Sequence, residues 1–284
     1  MTTIDAVFET VAATASDVRA ALSERRAYEE DENPSGEQQL AAEVYADELL
    51  EERLLAIDDV GTYASEERED AIPAADGGSY HVACDPLDGS SNLKSNNGMG
   101  TIVAVFDSEL PASGESLVAA GYVLYGPITT MLEASDGTLT EYLIEDDGRT
   151  VLNDDITLPD DPTVYGFGGR IPDWTTPFRA YVDDIEDDRL KLRYGGAMVA
   201  DVNQVVTYGG VFGYPMLEGA PEGKLRLQFE GHPIAHIVET AGGASSNGSQ
   251  SLLSCDPDEL HERTPLFVGN EPLIERLEAV LAEG

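Results

Sequence analysis

Basic residues are scarce in this sequence. Of its 284 residues, 16 are Lys or Arg and 55 are Asp or Glu, which gives a formal net charge of −39. The lysines are Lys94, Lys191 and Lys224. Because phosphate backbones and anionic membranes are bound by clustered Lys and Arg, we expect neither nucleic acid nor a membrane as a partner. A small anion stays a candidate ligand if the few cations converge on one place.

Cysteine and long apolar segments are also lacking. Two cysteines, Cys84 and Cys255, do not make a disulfide framework in a chain of this length, and we expect both to be buried thiols. No 18 consecutive residues are apolar, and the first residues show no basic segment followed by an apolar core. The sequence therefore predicts a cytoplasmic protein without a membrane span.

Apolar residues make up 42% of the chain, which is enough for a large folded core. At ordinary salt, however, so many like charges would repel one another in a compact state. At about 1 M salt the Debye length falls to about 3 Å and this repulsion largely disappears. A protein adapted to molar salt reconciles the two observations, and an ordinary acidic protein is the alternative.

The pattern of apolar residues predicts an α/β protein with two closely packed lobes, 1–158 and 159–284. A helix is expected over 4–26, and after a polar break a second one begins at about Glu37. From Tyr80 onward, short β-prone segments divided by Gly, Asp and Ser predict a multistranded sheet. Further helices are predicted at 196–207, from His232 and at 271–282.

The segment "CDPLDGSSN" sets two carboxylates at the end of a predicted strand. Pro86 fixes one backbone angle and Gly89 permits a tight turn, so that Asp85, Asp88 and the carbonyl of Leu87 can converge on one point. Oxygen donors of this kind suit a hard divalent cation. The alternative for the pentapeptide "DPLDG" alone is a structural turn with Asx hydrogen bonds.

The residues that follow this turn have the character of an anion site. Ser90, Ser91 and Asn92 can open a helical turn whose first N–H groups face an anion. A cation site beside an anion site is what the hydrolysis of a phosphate ester requires.

Other acids and cations strengthen this interpretation. Glu66 and Glu67 follow an apolar segment, and two adjacent acids that reach one site would repel each other unless a cation lay between them. Further along, Lys224 and Arg226 stand two residues apart, before Glu230. Since lysine is so scarce, its position beside an arginine points to an anionic substrate.

Several segments together resemble class I fructose-1,6-bisphosphatases, in the superfamily of lithium-sensitive sugar phosphatases and inositol monophosphatases. In chain order they read "GEQQLAAEVYADE", "SEE", "CDPLDGSSN", "AAGYVLYG", "RYGGAMVADV", "GGVFGYP", "GKLRLQFE" and "PLFVGN". The resemblance implies a layered α-β-α-β-α fold. It also implies Mg²⁺-dependent hydrolysis of the 1-phosphate of fructose 1,6-bisphosphate in gluconeogenesis.

The resemblance further implies roles for individual residues. The metal ligands would be Glu66, Asp85, Asp88, Glu230 and the Leu87 carbonyl, holding two or three Mg²⁺ or Mn²⁺ ions. The attacking water would be held or deprotonated by Glu67 and Glu43, with a third metal near Glu37. The 1-phosphate would be bound beside Asp88 and Gly89 by Ser90, Ser91 and Arg226. The sugar and its 6-phosphate would contact Tyr194, Tyr214 and Lys224, together with Arg193 from a neighbouring subunit of a homodimer or homotetramer.

The sequence also departs from the family pattern. "YGFGGR" stands where an asparagine usually contacts the 6-phosphate, and Arg170 is a candidate substitute. Glu43 replaces the usual aspartate and is one methylene longer. Ser79 precedes Tyr80 where AMP-inhibited enzymes have a lysine, so inhibition by AMP is not expected.

Two alternative functions stay open. A broader inositol-phosphate or sedoheptulose-bisphosphate phosphatase would use the same motif, whereas a noncatalytic anion-binding regulatory module would keep the fold without turnover.

Two histidines have the spacing of half a zinc site. His232 and His236 stand four residues apart on a predicted helix, but no glutamate follows His232, which favours a structural role for both.

The charge balance generates a first prediction. Because salt screens the repulsion among acidic side chains, the melting temperature should rise steadily from low to molar KCl. Thermal melts across a KCl series measure this directly. A melting temperature that does not change across the series would leave the ordinary acidic protein as the explanation.

Overall fold

A computed structural model describes residues 1–32, 34, 38–145 and 148–283, with the backbone alone described for 28–32 and 38. Glu37, where the second helix was predicted to begin, lies outside the described residues. Within the described part of the chain the helices are α1 (Thr3–Ala21), α2 (Ala41–Leu54), α3 (Thr176–Asp187), α4 (Met198–Tyr208), α5 (His232–Thr240) and α6 (Glu271–Ala282). None of these helices is long and apolar enough to cross a membrane.

Among the residues that the structure describes, the strands belong to one large sheet, one smaller sheet and two short ribbons. Their bounds are β1 (Tyr28–Glu32), β2 (Gln38–Leu40), β3 (Val60–Ser65), β4 (Ile72–Pro73), β5 (Tyr80–Asp88), β6 (Met99–Phe106), β7 (Leu117–Tyr125), β8 (Thr129–Ser135), β9 (Thr138–Glu145), β10 (Gly148–Asn153), β11 (Val164–Phe167), β12 (Lys191–Leu192), β13 (Gly210–Tyr214), β14 (Leu225–Arg226), β15 (Ala244–Ser246), β16 (Arg263–Thr264) and β17 (Leu266–Gly269).

The larger sheet has eight strands in the order β10-β9-β8-β7-β6-β5-β3-β4. Its neighbouring strands are antiparallel except β3 and β5, which run parallel. The smaller sheet has five strands in the order β12-β11-β13-β17-β15. The segment "MGTIVAVF" of β6 is apolar without alternation because both of its faces are buried.

Helices cover both faces of each sheet, and each contact between layers has its own apolar core. Helices α1 and α2 pack on the outer face of the large sheet around Phe8, Leu50 and Tyr63. Helices α4 and α5 fill the space between the two sheets around Val202 and Ile237. Helices α3 and α6 pack against the outer face of the small sheet. The predicted α-β-α-β-α layering is therefore confirmed.

Some local predictions were wrong. Helix α2 begins at Ala41, and α3 was not predicted, although its buried Phe178, Tyr181, Val182 and Ile185 have helical spacing. The segment "GGASSNGSQS" has the polar composition of a surface turn, yet its first part forms β15 in the small sheet. The lobe boundary near residue 158 stays a prediction.

His232 has a structural environment at the beginning of α5. Its ring is fully buried, its Nε2 donates to the Cys255 carbonyl at 3.2 Å, and burial lowers its pKa to about 4. No described histidine belongs to a group of three or more side chains placed to hold a metal. These observations favour the structural role over the zinc hypothesis.

Asp47 on α2 joins this helix to the sheet and to the segment after β3. It is 4% exposed, accepts from the Tyr63 hydroxyl at 2.9 Å and pairs with Arg68 at 2.5 Å. Arg68 follows the acidic pair Glu66 and Glu67 by one residue, so Asp47 helps to fix the segment that carries them.

We predict that Asp47→Asn lowers the free energy of unfolding by about 1–3 kcal/mol, because a buried charged hydrogen bond to Arg68 is lost. Asp17→Asn is the matched control, since Asp17 is 51% exposed in its pair with Arg53 and should contribute less than about 1 kcal/mol. Denaturant unfolding in molar KCl compares the two variants. Equal losses of unfolding free energy in the two variants would show that the buried Asp47 contacts stabilise the protein no more than the exposed pair of Asp17 and Arg53 does.

Candidate active site

The parallel pairing of β3 and β5 brings the first acidic residues together. Ser65 is paired with Cys84 in register, and the Glu66 amide donates to the Cys84 carbonyl at 3.0 Å. Glu66 therefore leaves β3 beside Asp85, although 18 residues of chain separate the two acids. Strand β5 continues to Asp88, so Asp85 and Asp88 both lie in its last residues.

A third carboxylate comes from the C-terminal half of the chain. Glu230 lies in a single π-helical turn, Leu227–Gly231, which leads into α5, and its Oε2 accepts from the Arg226 amide at 2.7 Å. Carboxylate oxygens of Glu66, Asp85 and Glu230 all lie within 4.8 Å of one another.

Burial and repulsion by neighbouring carboxylates disfavour the charged forms of Asp85 and Glu230. Burial, and next the charge of Glu66, raises the pKa of Asp85 well above its usual value. The same two causes raise the pKa of Glu230 to about 8. A divalent cation would favour the ionised forms instead, and carboxylate oxygens are its preferred donors. The residues present therefore fit a hard divalent cation.

Asp88 lines the same cavity but has partners of its own. Its carboxylate accepts from the Met198 amide at 3.2 Å and from the Val199 amide at 2.8 Å, at the N-terminus of α4. Burial raises the pKa of Asp88 to about 7 against the lowering effect of these two hydrogen bonds. Its role as a metal ligand stays a prediction.

A cavity of about 680 Å³ contains nearly all the predicted site residues. Those in its lining are Glu43, Glu66, Glu67, Asp85, Leu87, Asp88, Gly89, Ser90, Ser91, Tyr194, Tyr214, Lys224, Arg226 and Glu230. Glu37 lies outside the described residues. Arg193 is exposed and absent from the lining, and its Nη1 donates to the carbonyl of Leu192.

The cavity also contains residues that were not predicted. Lys94 lines the cavity two residues beyond the "DGSSN" segment. Because the sequence has so few lysines, Lys94 could have been identified as a candidate site residue. Asp201 lines it from the first turn of α4, where its carboxylate accepts from the amides of Gly195 at 2.6 Å and Gly196 at 3.2 Å. Asp201 thereby holds the loop that carries Tyr194, a local contact within the segment "RYGGAMVADV", for which the sequence analysis gave Asp201 no role.

Gly89 is required by both its conformation and its surroundings. Its φ is 71°, and a Cβ atom there would lie 2.2 Å from the Cβ of Ala197. The chain then enters a short 3₁₀ helix, Ser90–Leu93. This close approach brings Ser90 and Ser91 to the wall of the cavity next to the N-terminus of α4.

Glu67 and Glu43 lie together near the acidic cluster. Burial, followed by the charges of Glu43 and Glu66, raises the pKa of Glu67 to about 8, while Gln39 Nε2 donates to its Oε2 at 2.5 Å. Glu43 Oε2 accepts from the Leu40 amide at 2.5 Å at the N-terminus of α2. Glu43 therefore caps a helix in addition to any catalytic role.

Arg226 supplies positive charge beside the carboxylates. Its Nη1 pairs with Glu66, and the two side chains are 6% and 12% exposed. A little further along the cavity, Tyr194 and Tyr214 share a hydrogen bond, and Lys224 Nζ lies 5.7 Å from the centre of the Tyr214 ring. The cavity thus has an acidic end and an end lined by tyrosines and a lysine.

Comparison with known proteins agrees with this geometry. The family models "Fructose-1-6-bisphosphatase, N-terminal domain" and "Fructose-1-6-bisphosphatase, C-terminal domain" match residues 2–154 and 158–282. The chain belongs to the fructose-1,6-bisphosphatase family. A class 1 fructose-1,6-bisphosphatase of Natronomonas pharaonis is 68% identical over 279 residues, which cover 98% of each chain.

Other relatives support the same assignment. A class 1 fructose-1,6-bisphosphatase of Halobacterium salinarum is 59% identical over 99% of this chain and 98% of its own. The holo form of the Leishmania major fructose-1,6-bisphosphatase matches with a TM-score of 0.92 at 26% identity, over 98% of this chain and 94% of its own. These findings confirm the predicted family, its sugar phosphatase fold and the hydrolase class. Metal dependence is typical of the family.

The raised pKa values generate a prediction about the metal-free protein. Glu67 and Glu230 ionise at about 8 in the folded state, against an ordinary value of 4.5. Their contribution to stability is therefore complete below about pH 4.5 and is lost as the pH rises through about 8. With a chelator in molar KCl, the melting temperature should fall between about pH 5 and about pH 8, and Glu230→Gln should weaken this fall.

At about pH 8 we expect Glu230→Gln to melt at least about 3 °C above the unsubstituted protein in chelator, and to gain less from added Mg²⁺. Glu218→Gln on an exposed loop is the control and should follow the unsubstituted protein. If the melting temperatures of Glu230→Gln and the unsubstituted protein changed with pH in the same way, the proposed repulsion would be contradicted.

Proposed function

We propose that the chain hydrolyses the 1-phosphate of fructose 1,6-bisphosphate to give fructose 6-phosphate and phosphate, with a divalent cation and a water molecule. One observation carries the proposal: three carboxylates within 4.8 Å of one another lie beside a buried arginine in one cavity. The names of the relatives agree with it.

The acidic end of the cavity would hold the cations. We assign two or three Mg²⁺ ions, with Mn²⁺ as a substitute, to Glu66, Asp85, Glu230, Asp88 and the Leu87 carbonyl. When bound, such ions lower the pKa of water and offset charge on the phosphoryl group.

Glu67 and Glu43 would position the attacking water and take up its proton. A carboxylate with a pKa of about 8 binds a proton readily near neutral pH, which suits Glu67 to act as a general base. Glu43 raises this pKa through its charge and lies in the wall of the same cavity. The assignment of Glu37 to a further cation is carried by the family resemblance alone.

Arg226, Ser90 and Ser91 would bind the phosphate that is cleaved. Arg226 lies next to Glu66, so its guanidinium would lie near the point where negative charge develops on the phosphoryl group. The first amides of the Ser90–Leu93 helix have no carbonyl partner within that helix, which suits them to donate to an anion. Gly89 allows these groups to approach the cavity.

The tyrosine-lined end would hold the sugar, with Tyr194, Tyr214 and Lys224 in contact with it. We further propose a homodimer or homotetramer in which Arg193 of the partner subunit completes the site. In support, Leu192 beside Arg193 is 61% exposed and Ile171 is 62% exposed, and apolar side chains with this exposure suit an interface between subunits.

We place the enzyme in a cytoplasm of molar salt, where it would act in gluconeogenesis. The net charge of −39 and the relatives from Natronomonas and Halobacterium support this setting. Comparing kcat/KM for fructose 1,6-bisphosphate, sedoheptulose bisphosphate and inositol phosphate in molar KCl tests the substrate. A higher kcat/KM for either of the other two compounds would show that it, and not fructose 1,6-bisphosphate, is the preferred substrate.

We predict that Asp88→Asn lowers kcat at least about a hundredfold, because the loss of one carboxylate weakens both cation binding and positioning. Phosphate release in molar KCl with Mg²⁺ measures this. The asparagine can still accept a hydrogen bond from α4, so the variant should fold.

Asp136→Asn is the control, since Asp136 lies in the tight turn between β8 and β9 with a φ of 50°, a conformation that asparagine also adopts. Calorimetric titration with Mg²⁺ gives a readout besides turnover. If Asp88→Asn bound Mg²⁺ and turned over like the control, the metal-hydrolase mechanism would be wrong. Absence of turnover in the unsubstituted protein would favour a noncatalytic module.

A further inference from the structure

His261 lies just before β16 and reaches the segment that carries two acids of the active-site cavity. Its Nε2 lies 2.7 Å from the Arg68 carbonyl oxygen, although the two residues are 193 positions apart in the chain. Arg68 directly follows Glu66 and Glu67. His261 is absent from the lining of the cavity, so it acts on the segment behind these acids.

A second contact of His261 leads to the turn that carries Glu230. The rings of His261 and Phe229 pack with their centroids 5.2 Å apart and their planes at 46°. Phe229 is fully buried and directly precedes Glu230 in the π-helical turn Leu227–Gly231. One imidazole ring therefore contacts both the segment that supplies Glu66 and the turn that supplies Glu230.

Backbone pairing fixes His261 to the chain that leads into Glu230. Strands β14 and β16 form an antiparallel ribbon, and the Leu227 amide extends the pairing to the Glu262 carbonyl at 2.8 Å. Glu262 is the neighbour of His261. A continuous path of contacts therefore runs from the Arg68 carbonyl through His261 to the turn of Glu230.

The first half of the chain holds Arg68 by its side chain and its amide. The guanidinium pairs with Asp47 at 2.5 Å and with Glu51 at 2.6 Å, and the Arg68 amide donates to the Ser65 carbonyl at 3.2 Å. The carbonyl of Arg68, in contrast, accepts from His261 in the second half of the chain. This hydrogen bond ties the two halves together directly behind the acids.

The surroundings of His261 suit a neutral ring that donates through Nε2. A carbonyl oxygen only accepts, so the hydrogen must be on Nε2. Nδ1 is buried, and no described group makes a hydrogen bond to it, so a second hydrogen there would lack an acceptor. Burial, against the opposing effect of the hydrogen bond to Arg68, lowers the pKa of His261, and the charge of Arg226 lowers it further. His261 therefore supplies a donor without adding a charge.

Repulsion between the acids is what these contacts must resist. Carboxylate oxygens of Glu66, from the first half of the chain, and Glu230, from the second, lie within 4.8 Å of each other. When both are ionised, this repulsion pushes the two segments apart. A cation binds more tightly to ligands that are already in place, because their ordering then costs less free energy.

We propose that His261 is a positioning residue that holds the segment of Glu66 and Glu67 against the turn of Glu230, so that the acidic cluster keeps its cation-binding geometry. The inference rests on the proposed function, which assigns divalent cations to these carboxylates. Without the hydrogen bond from His261, cations should bind more weakly. The tyrosine-lined end lies further along the cavity and should bind a sugar phosphate as before.

The test compares His261→Asn with His261→Gln in molar KCl. A glutamine amide reaches about as far as Nε2 and can donate to the Arg68 carbonyl, whereas an asparagine amide ends near the position of Nδ1. In calorimetry, His261→Asn should raise the apparent Kd for Mg²⁺ about tenfold or more, as expected for a group that orients metal ligands. In phosphate release from fructose 1,6-bisphosphate, the half-saturating Mg²⁺ concentration should rise by the same factor. His261→Gln should recover most of the loss.

Two further variants separate the hydrogen bond from packing. His261→Phe keeps a ring against Phe229 but cannot donate, so it should lose Mg²⁺ affinity as His261→Asn does. His81→Phe is the matched control, since His81 is 8% exposed and its Nδ1 lies 3.0 Å from the Thr62 hydroxyl. His81 stands at the beginning of β5, away from the acids at the end of this strand, and its variant should bind Mg²⁺ like the unsubstituted protein.

Binding of fructose 6-phosphate gives the readout that distinguishes positioning from a general loss of structure. In calorimetry with chelator, its Kd should stay within about twofold of the unsubstituted value in every His261 variant, because separate sites respond nearly independently. An effect confined to Mg²⁺ therefore locates the role of His261 at the acidic end of the cavity.

The outcomes separate the positioning role from the function. If His261→Asn and His261→Phe bind Mg²⁺ as tightly as the unsubstituted protein, the positioning role is wrong. If they lose affinity for Mg²⁺ and for fructose 6-phosphate by the same factor, His261 stabilises the structure in general and the proposal is again wrong. If the unsubstituted protein binds Mg²⁺ but does not hydrolyse fructose 1,6-bisphosphate, the proposed function fails, while the Mg²⁺ Kd of the variants still decides the role of His261.

Discussion

Repulsion among buried carboxylates is the constraint on which this structure depends. Glu66, Asp85 and Glu230 place their oxygens within 4.8 Å of one another, and burial disfavours the charged forms of Asp85 and Glu230. Three anions this close require positive charge nearby, and the chain itself provides Arg226. A divalent cation would complete the balance. The same arrangement that disfavours ionisation in the metal-free protein would therefore favour the binding of a divalent cation.

The layered fold is what brings these acids together. Glu66 and Asp85 meet because β3 and β5 are the parallel pair in an otherwise antiparallel sheet. Glu230 arrives from the turn before α5, and Asp88 accepts hydrogen bonds from the N-terminus of α4. Since both helices lie between the two sheets, the acidic cluster forms only when the two halves of the chain have packed on each other.

Prediction from the sequence succeeded where residues that are close in the chain are also close in space. "CDPLDGSSN" encodes its turn locally, and the resemblance to one family supplied the more distant Glu66 and Glu230. Prediction failed where the conformation of a segment depends on hydrogen bonds to a strand that is distant in the chain. The short strand β15 reads as a polar loop because its hydrogen-bonding partner, β17, lies 20 residues further on.

The positions of the cations show how such an acidic protein can bind an anionic substrate. Five of its 16 basic residues line the active-site cavity or a smaller cavity that adjoins its tyrosine-lined end: Lys94, Arg170, Lys224, Arg226 and Arg263. In about 1 M salt the Debye length is about 3 Å, so a positive surface field would attract little from a distance. Direct contacts in partly buried cavities are screened much less. An acidic surface whose few cations are concentrated in the lining of these cavities therefore suits molar salt.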